Sequence, residues 1–212
     1  MSSAAPDGPV PVRAVTAEDH AAITALLRTA FADEGPAVAD LVDDVRAREL
    51  VGVELVALAP AGEIPSGGRG ASSTVVGHVA LSHAWLDTRS ERLDVLLLSP
   101  LAVAPGQQRR GIGAGLLAAA LAEADRSGAP FVVLEGAPGY YSRHGFVPAS
   151  AYGIDAPSPR IPGPAFQVAA LSAHEPWMTG RVVYREVWWE HDAVGLRDPA
   201  LARFEMALPD GG

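Results

Sequence analysis

The 212-residue sequence contains no cysteine. Disulfides, thiolate-held metals and an acyl-cysteine intermediate are thereby excluded, so any acyl transfer must proceed without covalent capture on sulfur. Positive charge is scarce: 16 Lys and Arg stand against 25 Asp and Glu, a formal net charge of -9, and no basic block occurs. Nucleic acid, which is bound by replacing phosphate counterions with such a block, is not an expected partner. No apolar run reaches membrane-spanning length, and the opening MSSAAPDG lacks the basic flank and apolar core of a secretion signal. A cytoplasmic protein with no membrane partner is expected. The six histidines are dispersed without a His-x-x-x-His pair, so no metal is expected either.

What is present is a large apolar fraction, 49% of residues, enough for one well-buried core at this length. Residues 1–11 are small, polar and proline-containing and read as a disordered tail ahead of a domain spanning 12–190. Thr16 with the acidic residues after it is an N-cap, and Ile23, Leu26, Leu27, Ala30 and Phe31 recur at helical spacing. After the break at 33–36, Val38, Leu41, Val42 and Val45 mark a second helix ending near Glu49. Residues 53–58 and 74–82 are β-rich and flank a Gly/Ser/Pro connection over 60–73.

The stretch LDVLLLSPLAVA, residues 93–104, is long enough for a strand but contains Pro100, which cannot donate to a ladder. A bulge, or a point where two strands part, tolerates it there. Residues 111–127 form the clearest helix, with Ile112, Leu116, Leu117, Ala120, Leu121 and Ala124 on its apolar side and Gly128 as the stop. A strand over 131–135 follows, then a short helix opened by Pro138 and closed by Gly145. Further strands are expected at 166–171 and 181–189, the second placing Trp188 and Trp189 on opposite faces, one core and one rim. Residues 191–212 read as a C-terminal extension packed on or flanking the domain.

The segment Gln108-Arg109-Arg110-Gly111-Ile112-Gly113-Ala114 connects a strand to the best helix, where backbone N–H groups lack intrahelical partners. Gly111 and Gly113 let phosphate oxygens approach the amides, and Arg109 and Arg110 add positive charge to the helix dipole. On these residues alone the turn is an anion site or merely a helix start. A Rossmann site would need its glycines after the first strand of a βαβ unit, and a P-loop needs Gly-Lys-Ser/Thr, which is absent.

Gln108, Gly111 and Gly113 resemble the Gln/Arg-x-x-Gly-x-Gly/Ala signature of the GNAT superfamily of N-acetyltransferases. LAVAP before them resembles that family's fourth strand, and YYSRHGF after them resembles its aromatic-Tyr-x-x-x-Gly-Phe segment. The resemblance implies an α/β (α+β) fold with a mixed, largely antiparallel sheet of about seven strands, about four flanking helices and splayed fourth and fifth strands. It implies acetyl-CoA as co-substrate, with the free backbone of Leu101, Ala102 and Val103 on the pantetheine arm and amides of Arg109 to Ala114 on the pyrophosphate. It implies Tyr141 as the acid that protonates the departing thiolate, an N–H near Val103 for the oxyanion, an amine acceptor served by direct transfer, and possible homodimerisation. A general base is not singled out: Glu34, His83, Ser99 and Glu135 are all candidates. A non-catalytic acyl-CoA-binding module is the alternative reading.

Overall fold

The computed structural model describes residues 10–59 and 74–195; the 60–73 connection and residues 1–9 and 196–212 lie outside it. Nine strands form one sheet: β1 (Val12–Ala14), β2 (Val51–Leu58), β3 (Val75–Thr88), β4 (Arg92–Val103), β5 (Phe131–Glu135), β6 (Val147–Pro148), β7 (Ile154–Asp155), β8 (Phe166–Ala170) and β9 (Gly180–Val183). Five helices accompany them: α1 (His20–Ala30), α2 (Gly35–Ala47), α3 (Ile112–Arg126), α4 (Pro138–Tyr141) and α5 (Glu186–Glu190). The sheet order is β1-β2-β3-β4-β5-β8-β6, with β9 beside the far end of β3 and β7 beside β9. All pairs are antiparallel except β4–β5 and β7–β9. This is the mixed, mostly antiparallel architecture expected, with two more short strands and one more helix.

Of the expected tail, Val10 and Pro11 already accompany the sheet, since the Leu58 N–H donates to the Pro11 carbonyl at 3.0 Å. The first helix begins one turn later than its cap: a 3-10 turn at Ala17–Asp19 precedes α1, and Asp19 accepts the Thr16 N–H and both terminal nitrogens of Arg13. Residues 191–195 close against the core, with Val194 fully buried among α5 and sheet residues.

The expected strand over 181–189 is a correction. β9 ends at Val183, and residues 186–190 are α5. Tyr184, Val187 and Trp188, all buried, are spaced as one helical face, and Glu186 favours a first turn, so a tertiary contact decides between two periods that the short run satisfies equally. Trp188 is 3% and Trp189 44% exposed, split as expected but by a helix's rotation rather than a strand's alternation.

Two apolar layers sandwich the sheet. On one face Leu116, Leu117 and Ala120 of α3 pack on Leu96, Leu98 and Val132; on the other, Leu41 and Val45 of α2 and Trp188 of α5 pack on Leu97 and Val133. Each fully buried leucine contributes roughly 1.5–3 kcal/mol. Leu96 and Leu98 thus face α3 while Leu97 faces α2, as alternation requires.

That alternation is reset at Pro100. In the β3–β4 register Leu101 pairs with Val79 and Leu98 with Leu81, so Ser99 and Pro100 together oppose Ala80. The Ser99–Pro100 peptide is cis. The extra residue is a β-bulge, and beyond it the faces exchange: Ala102, an even position like Leu96, packs with Ile23 and Val42 on the α1–α2 side. β5 pairs with β4 only at Leu96 and Leu97, immediately before the bulge. From Leu98 onward the two strands part.

Candidate active site

The gap between β4 and β5 is where the candidate residues gather. The Ala104 N–H donates to the Val76 carbonyl on β3 at 2.9 Å, which fixes the hydrogen-bonding parity of the strand. Ala102, two residues back, also turns its N–H and C=O towards β3. Leu101 and Val103 turn theirs the other way, to the side β5 has left. The strand backbone available to a ligand is therefore narrower than the sequence suggests, Leu101 and Val103 without Ala102. The Gln108 amide holds the Val103 carbonyl at 3.3 Å, tying the strand end to the turn that follows.

In that turn Gln108 is extended, whereas Arg109 and Gly111 have left-handed backbones with φ of 62° and 81°. Glycine adopts this region freely; for arginine it costs roughly 1–2 kcal/mol, strain of the kind that collects at ligand clamps. Such a chain path turns successive amides into one hollow, an anion-binding concavity. The first intrahelical bond of α3 is Gly115 N–H to Gly111 C=O at 2.9 Å, so the N–H groups of Ile112, Gly113 and Ala114 have no partner within the helix. At fifteen residues α3 is long enough to bring a full dipole to this end.

These groups border a hollow of ≈ 370 Å³ whose wall includes Val103, Gln108, Arg109, Gly113 and Tyr140. Arg110 is absent from that wall; its guanidinium donates to Gln107 Oε1 and its side chain is exposed. Tyr140, read from sequence as packing, instead closes the hollow, and a Cβ on Gly113 would come within 2.9 Å of its hydroxyl. No sequence signal separates that role from packing.

Tyr141 stands where the hollow meets a second, larger cavity of ≈ 710 Å³. Ala137 and Pro138 open α4, which points the tyrosine back over the end of β5, and Gly136 clears its path. The ring packs edge-on against Tyr140 (5.0 Å between centroids) and Phe146 (5.7 Å). Burial, and secondarily the neighbouring Tyr140, push the phenol up to about 12. It therefore keeps its proton throughout the neutral range.

The larger cavity lies on the opposite face of the sheet, between α2 and α5, and shares Leu101, Tyr140 and Tyr141 with the hollow. Of the four candidate bases, Glu34, Ser99 and Glu135 line it and His83 does not. Glu135 accepts the Gly195 N–H at 3.1 Å. Tyr184, which the sequence did not single out, is buried beside Glu135; burial first, and then that carboxylate, hold its phenol well above the usual tyrosine range. Among the described residues no group of three or more His, Asp or Glu is placed to hold a metal, and no helix is long and apolar enough to cross a membrane.

A strand edge freed beside a bulge, a hollow at the start of the next helix and a buried tyrosine between them lie side by side in this fold. A family model described as an acetyltransferase (GNAT) domain matches residues 11–149. The chain belongs to the GNAT acetyltransferase family. It is 33% identical over 171 residues to the Escherichia coli K12 N-acetyltransferase YhbS, an alignment covering 79% of this chain and 92% of the relative. The crystal structure of E. coli YhbS in complex with CoA superposes with a TM-score of 0.72 at 29% identity, covering 88% of this chain and 96% of that one. A GNAT acetyltransferase from Brucella melitensis, crystallised with acetyl-CoA, gives a TM-score of 0.63 at 27% identity over 84% of this chain and 97% of the other. This GNAT chain is thus an acetyltransferase by family and by fold.

Proposed function

We propose that the protein is an acetyl-CoA-dependent N-acetyltransferase that passes the acetyl group directly to an amine within a ternary complex. The observation that carries this reading is the meeting of the two cavities at Tyr141. A thioester entering through the amide hollow and an amine entering from the α2–α5 side converge on the same hydroxyl. Support from relatives lies in the CoA and acetyl-CoA complexes of the two structural neighbours.

The residues divide the work as follows. Amides of Arg109 to Ala114 and the Arg109 guanidinium take the pyrophosphate, and backbone groups of Leu101 and Val103 take the pantetheine amides in place of the missing β5 ladder. The amine nitrogen attacks the thioester carbonyl carbon, the oxyanion is met by a backbone N–H near Val103, and the C–S bond breaks as the Tyr141 phenol gives its proton to the thiolate. The phenolate is restored by the proton the amine nitrogen releases. An alkyl ammonium with pKa near 10.4 must first lose a proton to solvent or to a base in the cavity.

A thiol-release assay over small amines, amino acids and peptides tests the reading. Thiol formation dependent on one acceptor class is the expected result. Tight acetyl-CoA binding with no thiol release on any acceptor would instead establish a non-catalytic acyl-CoA-binding module.

A further inference from the structure

A tyrosine that only packs makes no use of its hydroxyl, yet Tyr140 reaches α3 with the hydroxyl leading. A Cβ on Gly113 would stand 2.9 Å from the Tyr140 oxygen and 3.6 Å from Cγ2 of Val103, with no other atom of the tyrosine within 4 Å. The Cα–Cβ bonds of a helix lean towards its N-terminus. The hydroxyl therefore lies at the opening of α3, on the side of the β4 end, in the space towards which the N–H groups of Ile112, Gly113 and Ala114 point. All of these residues line the same hollow.

The ring is fixed where it stands. Tyr141 packs perpendicular to it and His144 tilts against it, each with centroids 5.0 Å away. A donor already held in place loses little freedom when a ligand arrives. Tyr140 is nonetheless 39% exposed, so its edge on the hollow is open to a ligand. Partial burial raises the phenol above its usual value, and the group meets an anion as a protonated donor. Tyr140 also lines the larger cavity together with Leu101 and Tyr141, which places it on the path from the amide hollow to the acid.

We propose that the Tyr140 hydroxyl donates a hydrogen bond to the cofactor pyrophosphate, adding a side-chain donor to the backbone amides at the start of α3. Held at that point, the pyrophosphate sets how far the pantetheine arm extends along β4 towards Tyr141. The absent side chain of Gly113 then serves twice: it opens the amides to the phosphates and leaves room for the hydroxyl. CoA also carries a phosphate on its ribose, but the hydroxyl stands between the β4 end and the first turn of α3, where the arm leaves the pyrophosphate. This assignment rests on the acetyl-CoA reading above.

The test compares three ligands in the wild type and in Tyr140→Phe, which keeps the ring and its packing. CoA and dephospho-CoA, which lacks the ribose phosphate, are titrated by calorimetry; pantetheine, which lacks every phosphate, is titrated by NMR. Losing a donor to a charged oxygen should weaken CoA and dephospho-CoA alike by about tenfold and leave pantetheine within about twofold. Undiminished CoA affinity in Tyr140→Phe would overturn the proposal. So would a loss confined to CoA, which would move the contact to the ribose phosphate, or an equal loss with pantetheine, which would make it a contact of the arm. None of these ligands reacts, so the result does not depend on turnover. A wild type that fails to bind CoA would overturn the acetyl-CoA reading itself, whereas binding that Tyr140→Phe leaves unchanged would overturn the hydroxyl contact alone.

Discussion

Gly136 and Tyr141 fit so closely that a Cβ on Gly136 would stand 2.4 Å from Cε2 of the Tyr141 ring. The absence of a side chain at the end of β5 is what lets the phenol lie across the β4–β5 gap. Gly136→Ala should therefore push the ring out of line, and Tyr141→Phe should remove its proton; both should lower kcat by about 10²-fold while leaving the acetyl-CoA dissociation constant within about twofold. Steady-state kinetics paired with calorimetric titration checks this. A Tyr141→Phe enzyme with undiminished kcat would dismiss the acid role.

The two glycines of the amide hollow should fail in different ways. Gly113 has an ordinary helical backbone, but a Cβ there would stand 2.9 Å from the Tyr140 hydroxyl, so Gly113→Ala should crowd the hollow and raise the KM for acetyl-CoA about tenfold without lowering Tm, since alanine is the better helix former. Gly111 has open space around its Cβ position but a φ of +81°, so Gly111→Ala should cost about 1–2 kcal/mol of stability. Thermal melts alongside acetyl-CoA titrations separate the two.

A buried polar cluster sets the acid limit of the fold. Glu54 receives Arg46 at 2.5 Å and His78 at 2.7 Å across β2 and β3. Burial alone would raise the Glu54 carboxyl, but the hydrogen bonds from His78 and Arg46 outweigh it and hold it at about 2. For His78 burial dominates and pulls the imidazole below 6.5, so it is neutral and donates through Nε2. Both shifts mean that the unfolded chain takes up protons before the folded one. The His78 contribution fades as pH falls below 6.5, and the Glu54 contribution, complete above 4.5, is lost as pH falls towards 2. Tm should hold above neutrality and decline on acidification in two stages. In His78→Gln the stage beginning near 6.5 should disappear, and its persistence there would assign the titration to another group.

The rate should depend on pH through the amine and not through Tyr141. With the phenol near 12, kcat/KM for an alkyl amine should climb from pH 6 to about 10 as free base accumulates, with no basic limb from the tyrosine in that range. A loss of activity near pH 9 or below that vanishes in Tyr141→Phe would contradict it.

How much of this could be read from the chain follows the range of the interactions. The helix over 112–126 and its glycine stop are local matters of periodicity and φ, and both are legible. Pro100 announces a break in β4 because a missing N–H is a property of the residue itself. The consequence of the break is not local: only the register against β3 shows that Ala102 turns inward while Leu101 and Val103 turn out. The segment 184–190 satisfies strand and helix periods alike, and the wall it packs into decides for α5. Tyr184 and Trp188 therefore reach the wall of the larger cavity by a route with no sequence signature, as does Tyr140 over Gly113.

The most direct test of the central claim is a crystal structure with acetyl-CoA bound. The pyrophosphate should accept hydrogen bonds at about 2.7–3.2 Å from amides between Arg109 and Ala114, the pantetheine should pair with Leu101 and Val103, and the thioester sulfur should face the Tyr141 hydroxyl. A pyrophosphate bound away from that turn, or a sulfur beyond the reach of Tyr141, would contradict the account.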